Sequence, residues 1–221
     1  VFLALKVVYA NLIGLLCRET ENCDGLKVME VVGLDPRIGR SHILPGMPYG
    51  GSCLVKDTLA FGRFMLEKTG LDFVKCIHDY NELVIEKVVE YLDSELNGLQ
   101  GRKIAVLGVS YSPGSPVVND SPAMKLCEKL LSKNAIVYIH DVNREAVEEA
   151  KAVLGRVIAL ETLERLKEVD AVMVTLGYDE YRLIPPDLYD NVLVIDMTGV
   201  VIYEKASRFY TSSTRKTRSL S

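Results

Sequence analysis

The sequence predicts an α/β protein in two parts, a helical region followed by a small doubly wound, Rossmann-like parallel-sheet domain. Three observations predict it. Up to residue 97 the apolar residues recur at helical spacing, and after Asn97-Gly98 they gather into short runs that alternate with helical segments. With 221 residues, 48% of them hydrophobic and 25% charged, the chain has material for two small compact domains. The expected division is 1–97 helical, 98–205 α/β and 206–221 a disordered tail.

Taken in order, residues 1 to about 18 form a helix with apolar positions at Phe2, Leu5, Val8, Tyr9, Leu12, Leu15 and Leu16. A shorter helix covers Leu26 to Val32. Gly33 to Gly51 is a long connection punctuated by Asp35-Pro36, Pro45-Gly46 and Pro48, and a loop of that length inside a compact domain is usually functional. A helix over Lys56 to Lys68 stops at Gly70, and another over Val74 to Leu96 stops at Asn97-Gly98. Lys103 to Gly108 then reads as a buried strand, and Ser121-Pro122 as a helix cap followed by proline at the first helical position. Ala135 to Ile139 is a second strand, ending near Asp141. Helix 144–153, strand 157–160, helix 163–169 and strands 171–175 and 192–195 continue the alternation. From Ala206 on, the chain is rich in Ser, Thr, Arg and Lys, with Phe209, Tyr210 and Leu220 its few residues to bury.

A net charge of −4 offers no basic face for nucleic acid, so an anionic ligand must be held locally. Five cysteines, an odd number with no C-x-x-C pair, and three isolated histidines predict a reducing, cytoplasmic setting with no zinc site and no disulfide framework. No apolar run reaches the roughly 18 residues of a membrane span. The opening Val1-Phe2-Leu3-Ala4-Leu5-Lys6 enters on an amphipathic pattern without a cap, which predicts a fragment beginning mid-helix.

The stretch from Gly50 to Asp57 carries the chemistry. It sets Cys53 behind two glycines and ahead of Lys56 and Asp57, at the start of an apolar helix whose positive end would face the thiol and favour its ionisation. Paired glycines let backbone approach a ligand closely. The plainer alternative is a small buried cysteine in a turn. A dinucleotide fingerprint is missing: Gly108-Val109-Ser110-Tyr111-Ser112-Pro113 lacks the second glycine that a pyrophosphate needs. Asp141 stands where a ribose-binding acid would sit, or is simply a charged residue ending a strand.

Together these blocks resemble the UDP-glucose and GDP-mannose dehydrogenase family over nearly the whole chain. Phe2-Leu3-Ala4, Lys6, Asn11 and Leu16-Cys17 resemble its central dimerisation helix, and Gly33-Leu34-Asp35-Pro36-Arg37-Ile38-Gly39 its arginine-bearing loop. Gly50 to Asp57 is similar to its nucleophile motif. After the spacer helix with Asn81, Lys103 to Gly108 and Asp120-Ser121-Pro122-Ala123 resemble the start of its nucleotide-sugar domain.

The resemblance implies NAD-dependent oxidation of a nucleotide sugar, UDP-glucose or a relative, at C6 to the uronic acid. Cys53 would capture the aldehyde as a thiohemiacetal and pass through a thioester, with Asp57 orienting or deprotonating water. Lys56 would lie near the cofactor, and Arg37, Leu44, Tyr49, Gly50 and Tyr111 would bind the UDP-sugar, Arg37 from the neighbouring subunit. NAD would be held mainly by a domain preceding this chain, leaving the chain inactive alone, and the first helix would make a homodimer. Ser112, Asn119 and Thr198 stand where the family commonly carries cations, so a UDP-N-acetylhexosamine substrate or a non-catalytic nucleotide-sugar-binding module stays open. A cysteine hydrolase pairing Cys53 with His42 is a further alternative.

Overall fold

In the computed structural model, which describes residues 1–201 and 207–209, four helices come first: α1 (Phe2–Arg18), α2 (Gly25–Val32), α3 (Ser52–Thr69) and α4 (Phe73–Glu95). The buried face of α1 is built from Ala4, Val8, Ala10, Asn11, Gly14 and Cys17, so small side chains let the neighbouring helices approach closely. Phe2, Tyr9 and Leu16, three of the apolar positions read from the sequence, are exposed and lie seven residues apart on one line of the helix. Asp24 caps α2, its Oδ1 accepting from the amides of Leu26 and Lys27 at 3.0 and 3.2 Å.

The expectation of no disulfide is corrected here. Cys17, in the last turn of α1, and Cys23, just before α2, are joined by a disulfide with their Cα atoms 4.7 Å apart. The short turn between α1 and α2 folds the chain back on itself and brings the two thiols together, which a cysteine count does not reveal.

Helix α3 starts at Ser52, four residues ahead of the expected boundary, with Gly51 as its N-cap at φ +82° and no side-chain cap. It ends as expected at Gly70 in the left-handed region.

The second half is a six-stranded parallel sheet in the order β3-β2-β1-β4-β5-β6, the arrangement of a doubly wound fold. Its strands are β1 (Lys103–Leu107), β2 (Ile136–His140), β3 (Ile158–Ala159), β4 (Ala171–Val174), β5 (Leu193–Asp196) and β6 (Ser207–Arg208). Helices α5 (Pro122–Ser132) and α6 (Arg144–Leu154) cross between the first strands, and Leu163–Glu168 forms a 3₁₀ turn where an α-helix was expected. Two further short pieces, α7 (Asp179–Arg182) and a 3₁₀ turn at Pro186–Tyr189, are too brief to carry a periodic signal.

Alternation along β1 divides the interior. Ile104 and Val106 pack with Leu92 of α4 and with Leu126 and Leu130 of α5, while Ala105 and Leu107 face Leu166, Val172, Tyr181 and Tyr189. Within the expected tail, Ser207–Arg208 pair with β5 and Phe209 is buried, so the fold extends further than the polar composition suggests. Tyr210 and Leu220 lie outside the described residues.

Helices α4 and α5 run side by side along a charged seam. Lys125 Nζ donates to both oxygens of Glu82 at 2.7 and 2.8 Å, Lys129 pairs with Glu86, and Lys133 lies 3.7 Å from Asp93. The guanidinium of Arg18 lies over the ring of Tyr91 at 4.0 Å and that of Phe209 at 4.6 Å, tying α1, α4 and the segment after β6 together.

Candidate active site

A cleft of about 260 Å³ opens where the loop before α3 meets the carboxyl ends of β1 and β4 and the start of α5. Such crevices, where the strand order reverses, are where doubly wound sheets take their ligands. Its helical wall carries Leu3, Val7, His42, Met47, Pro48, Tyr49, Gly50 and Leu54, and its sheet wall Gly108, Ser110, Tyr111, Ser112, Ser121, Pro122, Ala123, Thr175 and Leu176.

The two walls join at the glycine pair. The amide of Gly51 donates to the carbonyl of Asp120 at 2.9 Å. A Cβ on Gly50 would stand 2.4 Å from that same carbonyl oxygen and 2.5 Å from Cδ of Pro122. The pair was expected to admit a ligand; the groups it admits are the protein's own Asp120, Pro122 and Tyr111. Because Gly51 is already the N-cap, Cys53 falls in the first turn of α3, exposed and bracketed by the cleft residues Gly50 and Leu54.

Lys56 and Asp57 follow one turn later, 74% and 71% exposed and 3.8 Å apart. At i+3 and i+4 from Cys53 they share its side of the helix. Tyr49 is buried against Ala4, Val8 and Ile77, with its hydroxyl 3.2 Å from Nδ1 of His78. Burial, aided by the nearby charge of Glu82, pushes the Tyr49 phenol up to about 12, so it stays protonated.

Arg37 and Leu44 do not line the cleft. The Arg37 guanidinium grips Asp35 through Nε at 3.0 Å and Nη2 at 2.6 Å, which raises the arginine's pKa and holds the carboxyl below its ordinary value. Lys6 Nζ donates to the carbonyl of Ile38 at 3.0 Å, so α1 supports this turn. Leu44 lines a separate hollow with Val31, Leu34 and Arg40. His42 does line the cleft, but its Nδ1 is engaged with Ser41 Oγ at 2.6 Å.

Electrostatically the cleft depends on backbone. Among the described residues, no lysine or arginine lines it. It does receive the N-termini of α3 and α5, the latter capped by Ser121, whose Oγ accepts from the Ala123 amide at 3.2 Å. Ser112 is on the wall, Asn119 is exposed, and Thr198 is spent on a turn in which its amide and hydroxyl donate to Asp196 at 2.8 and 2.7 Å.

Asp141 settles its two readings. Its Oδ2 accepts from the amides of Val109 and Ser110, and its Oδ1 from the Asn143 amide and the Tyr178 hydroxyl, all at 2.9 Å. The carboxylate is a brace for the loop after β1, with both oxygens committed.

Asn11 and Asn81 had no role in the sequence reading beyond membership of family-like blocks. Each is a polar residue on the apolar face of its helix, a signal that could have singled them out. Both reach the loop: Asn11 Oδ1 accepts from the Gly46 amide at 2.8 Å, and Asn81 accepts from the Tyr49 amide at 2.8 Å and donates to its carbonyl at 2.9 Å.

Comparison with known proteins matches residues 1–83 to the central domain of the UDP-glucose/GDP-mannose dehydrogenase family and residues 105–203 to its UDP binding domain. UDP-glucose 6-dehydrogenase TuaD of Bacillus subtilis is 31% identical over 185 residues, covering 82% of this chain and 39% of its own. UDP-glucose 6-dehydrogenase of Rhizobium meliloti is 32% identical over 219 residues, with 90% and 46% covered. Among solved structures, a UDP-glucose dehydrogenase from Pyrobaculum islandicum superposes with a TM-score of 0.85 at 37% identity, over 93% of this chain and 47% of that one. The chain spans less than half the length of these relatives.

Proposed function

Because the chain belongs to the UDP-glucose/GDP-mannose dehydrogenase family, we propose that it supplies the nucleotide-sugar cleft and the nucleophile for NAD-dependent oxidation of a UDP-sugar, UDP-glucose or a relative, at C6. The observation that carries this reading is the joint at Gly50-Gly51, which sets Cys53 next to a cleft on which two helix N-termini converge. The start of α3, which has no side-chain cap, suits a diphosphate, and Tyr111, Tyr49 and Gly50 supply the apolar and backbone surface for the rest of the ligand.

NAD is the hydride acceptor that the family resemblance implies, and the described residues do not form a cradle for it. Asp141, at the ribose position of the sheet, has both oxygens occupied, and the Tyr178 hydroxyl, accepting from Gly114 at 3.0 Å, fills the loop after β1. Lys56, exposed in the turn after Cys53, would lie near the cofactor and supply a positive charge to it.

The chain's own part is covalent. The Cys53 sulfur adds to the C6 aldehyde carbon, the carbonyl electron pair moves to oxygen, and protonation there gives a thiohemiacetal that keeps the aldehyde from leaving. At the thioester stage water attacks the same carbon, the C–S bond breaks, and carboxylate and thiolate part, with Asp57 orienting the water or taking its proton. Arg37 acts on the sugar of a neighbouring subunit, consistent with its place outside this chain's own cleft.

Calorimetry on the 221-residue chain tests the reading. UDP-glucose should bind in the micromolar to millimolar range, about −8 to −4 kcal/mol, because the described cleft residues include no cation to clamp the diphosphate. UDP-N-acetylhexosamines are the comparison ligands, and the chain alone should not reduce NAD. Absence of heat with every UDP-sugar would overturn the proposal. Tight binding without activity in any assembly would favour the second reading, a non-catalytic nucleotide-sugar module, for which the uncharged residues Ser112, Asn119 and Thr198 speak.

A further inference from the structure

We propose that Asn81 and Asn11 are positioning residues of this site, acting through the backbone of residues 46–49 on the cleft wall and on the turn that delivers Cys53. This rests on the function proposed above. The loop enters from Gly33 and turns through three prolines, Pro36, Pro45 and Pro48, and a segment with so few ladder partners needs its backbone groups paired by side chains. Asn11 on α1 takes the Gly46 amide near one end; Asn81 on α4 takes both the amide and the carbonyl of Tyr49 at the other. The two asparagines are 0% and 1% exposed. Between their anchor points lie Met47 and Pro48, and just beyond lie Gly50 and Gly51, so the pins bracket the cleft wall immediately ahead of Cys53.

The two asparagines differ in what else they do. Asn81 Nδ2 also lies 3.5 Å from Glu82 Oε1, and Glu82 is held by Lys125 of α5. The loop is thereby linked through α4 to the helix whose N-terminus forms the opposite wall. Asn11 Nδ2 has no hydrogen-bond partner among the described residues although it is buried. An apolar residue would pack there without leaving a buried amide unpaired; the bond that the Asn11 oxygen makes to the Gly46 amide is what offsets that cost.

Hydrogen exchange, alkylation and calorimetry on the 221-residue chain test the proposal together. In Asn81→Leu the Tyr49 amide should exchange at least about tenfold faster while amides of Ile104 to Leu107 are unchanged, since a lost pin frees one loop rather than the sheet. Cys53 alkylation by iodoacetamide should change about threefold or more relative to Cys76, and UDP-glucose affinity should fall about tenfold. Asn81→Asp, which keeps the acceptor for the Tyr49 amide, should restore slow exchange at that amide. Asn11→Ala is the second arm, read at the Gly46 amide, and decides the matter if Asn81→Leu does not fold. If both variants lower thermal stability but leave loop exchange, the Cys53 to Cys76 ratio and affinity at parent values, the residues are structural and the proposal is wrong. If the parent chain binds no UDP-sugar, the function above fails, while exchange and alkylation still judge the pins.

Discussion

A Cβ placed on Gly51 would stand 2.3 Å from Cε2 of Tyr111, so the ring lies directly on the backbone that begins the nucleophile helix. No side chain fits between them, and φ +82° at Gly51 adds backbone strain for any other residue. Gly51→Ala should therefore destabilise the protein by about 2–4 kcal/mol. Adding Tyr111→Ala should recover the overlap, about 1–2 kcal/mol, and leave the strain. Urea melts of the four proteins in the cycle check this; equal losses with and without Tyr111 would rule out the contact as the cause.

The free cysteines should separate by accessibility. Cys53 and Cys76 are exposed, whereas Cys127 is buried and desolvation pushes its thiol up to about 12. Native labelling with iodoacetamide, read by mass spectrometry, should modify the first two and spare Cys127 until denaturant is added. Saturating UDP-glucose should slow labelling of Cys53 and not of Cys76. Equal protection of both would detach Cys53 from the cleft.

Phe2, Tyr9 and Leu16 form an apolar line on α1 that is exposed among the described residues. By the family resemblance the first helix would form a dimer seam, and the chain should then sediment as a dimer at roughly tens of micromolar. Tyr9→Lys, at an exposed position, should yield a monomer with unchanged far-ultraviolet circular dichroism. A monomeric parent chain would remove the seam from the account.

Stability should fall on the alkaline side. Burial raises Cys127 from 9.0 to about 12 and Tyr49 from 10.0 to about 12, so the fold favours their neutral forms. That stabilisation is complete below the unfolded values and disappears as pH rises through the folded ones, a window from about 9 to 12 with a slope of about 1.4 kcal/mol per pH unit for each group. Cys127→Ala should flatten the decline above pH 9, measured as urea midpoints; an unchanged slope would show the thiol is not responsible.

What could be read in advance depended on local chemistry. Ser121-Pro122 and Gly70 announced helix ends because a hydroxyl cap, a proline and a left-handed glycine each act within a few residues. The start of α3 was misplaced because Gly51 caps by conformation alone and offers no side-chain oxygen. Gly50 and Tyr111, named as site residues by the family resemblance, do line the cleft, and Cys53 is exposed beside it. The pins at Asn11 and Asn81 act across 35 and 32 residues, and Phe209 was hidden among polar neighbours; only tertiary packing exposes such partners.

The stacking of Arg18 on Tyr91 and Phe209 has a bearing on synthesis. Phe209 emerges from the ribosome long after α1, so the first helix cannot finish its own environment until the chain has been made past β6. A nascent chain halted before residue 207 would lack the Phe209 ring on which Arg18 stacks, and its first helix would be held less firmly than in the folded protein.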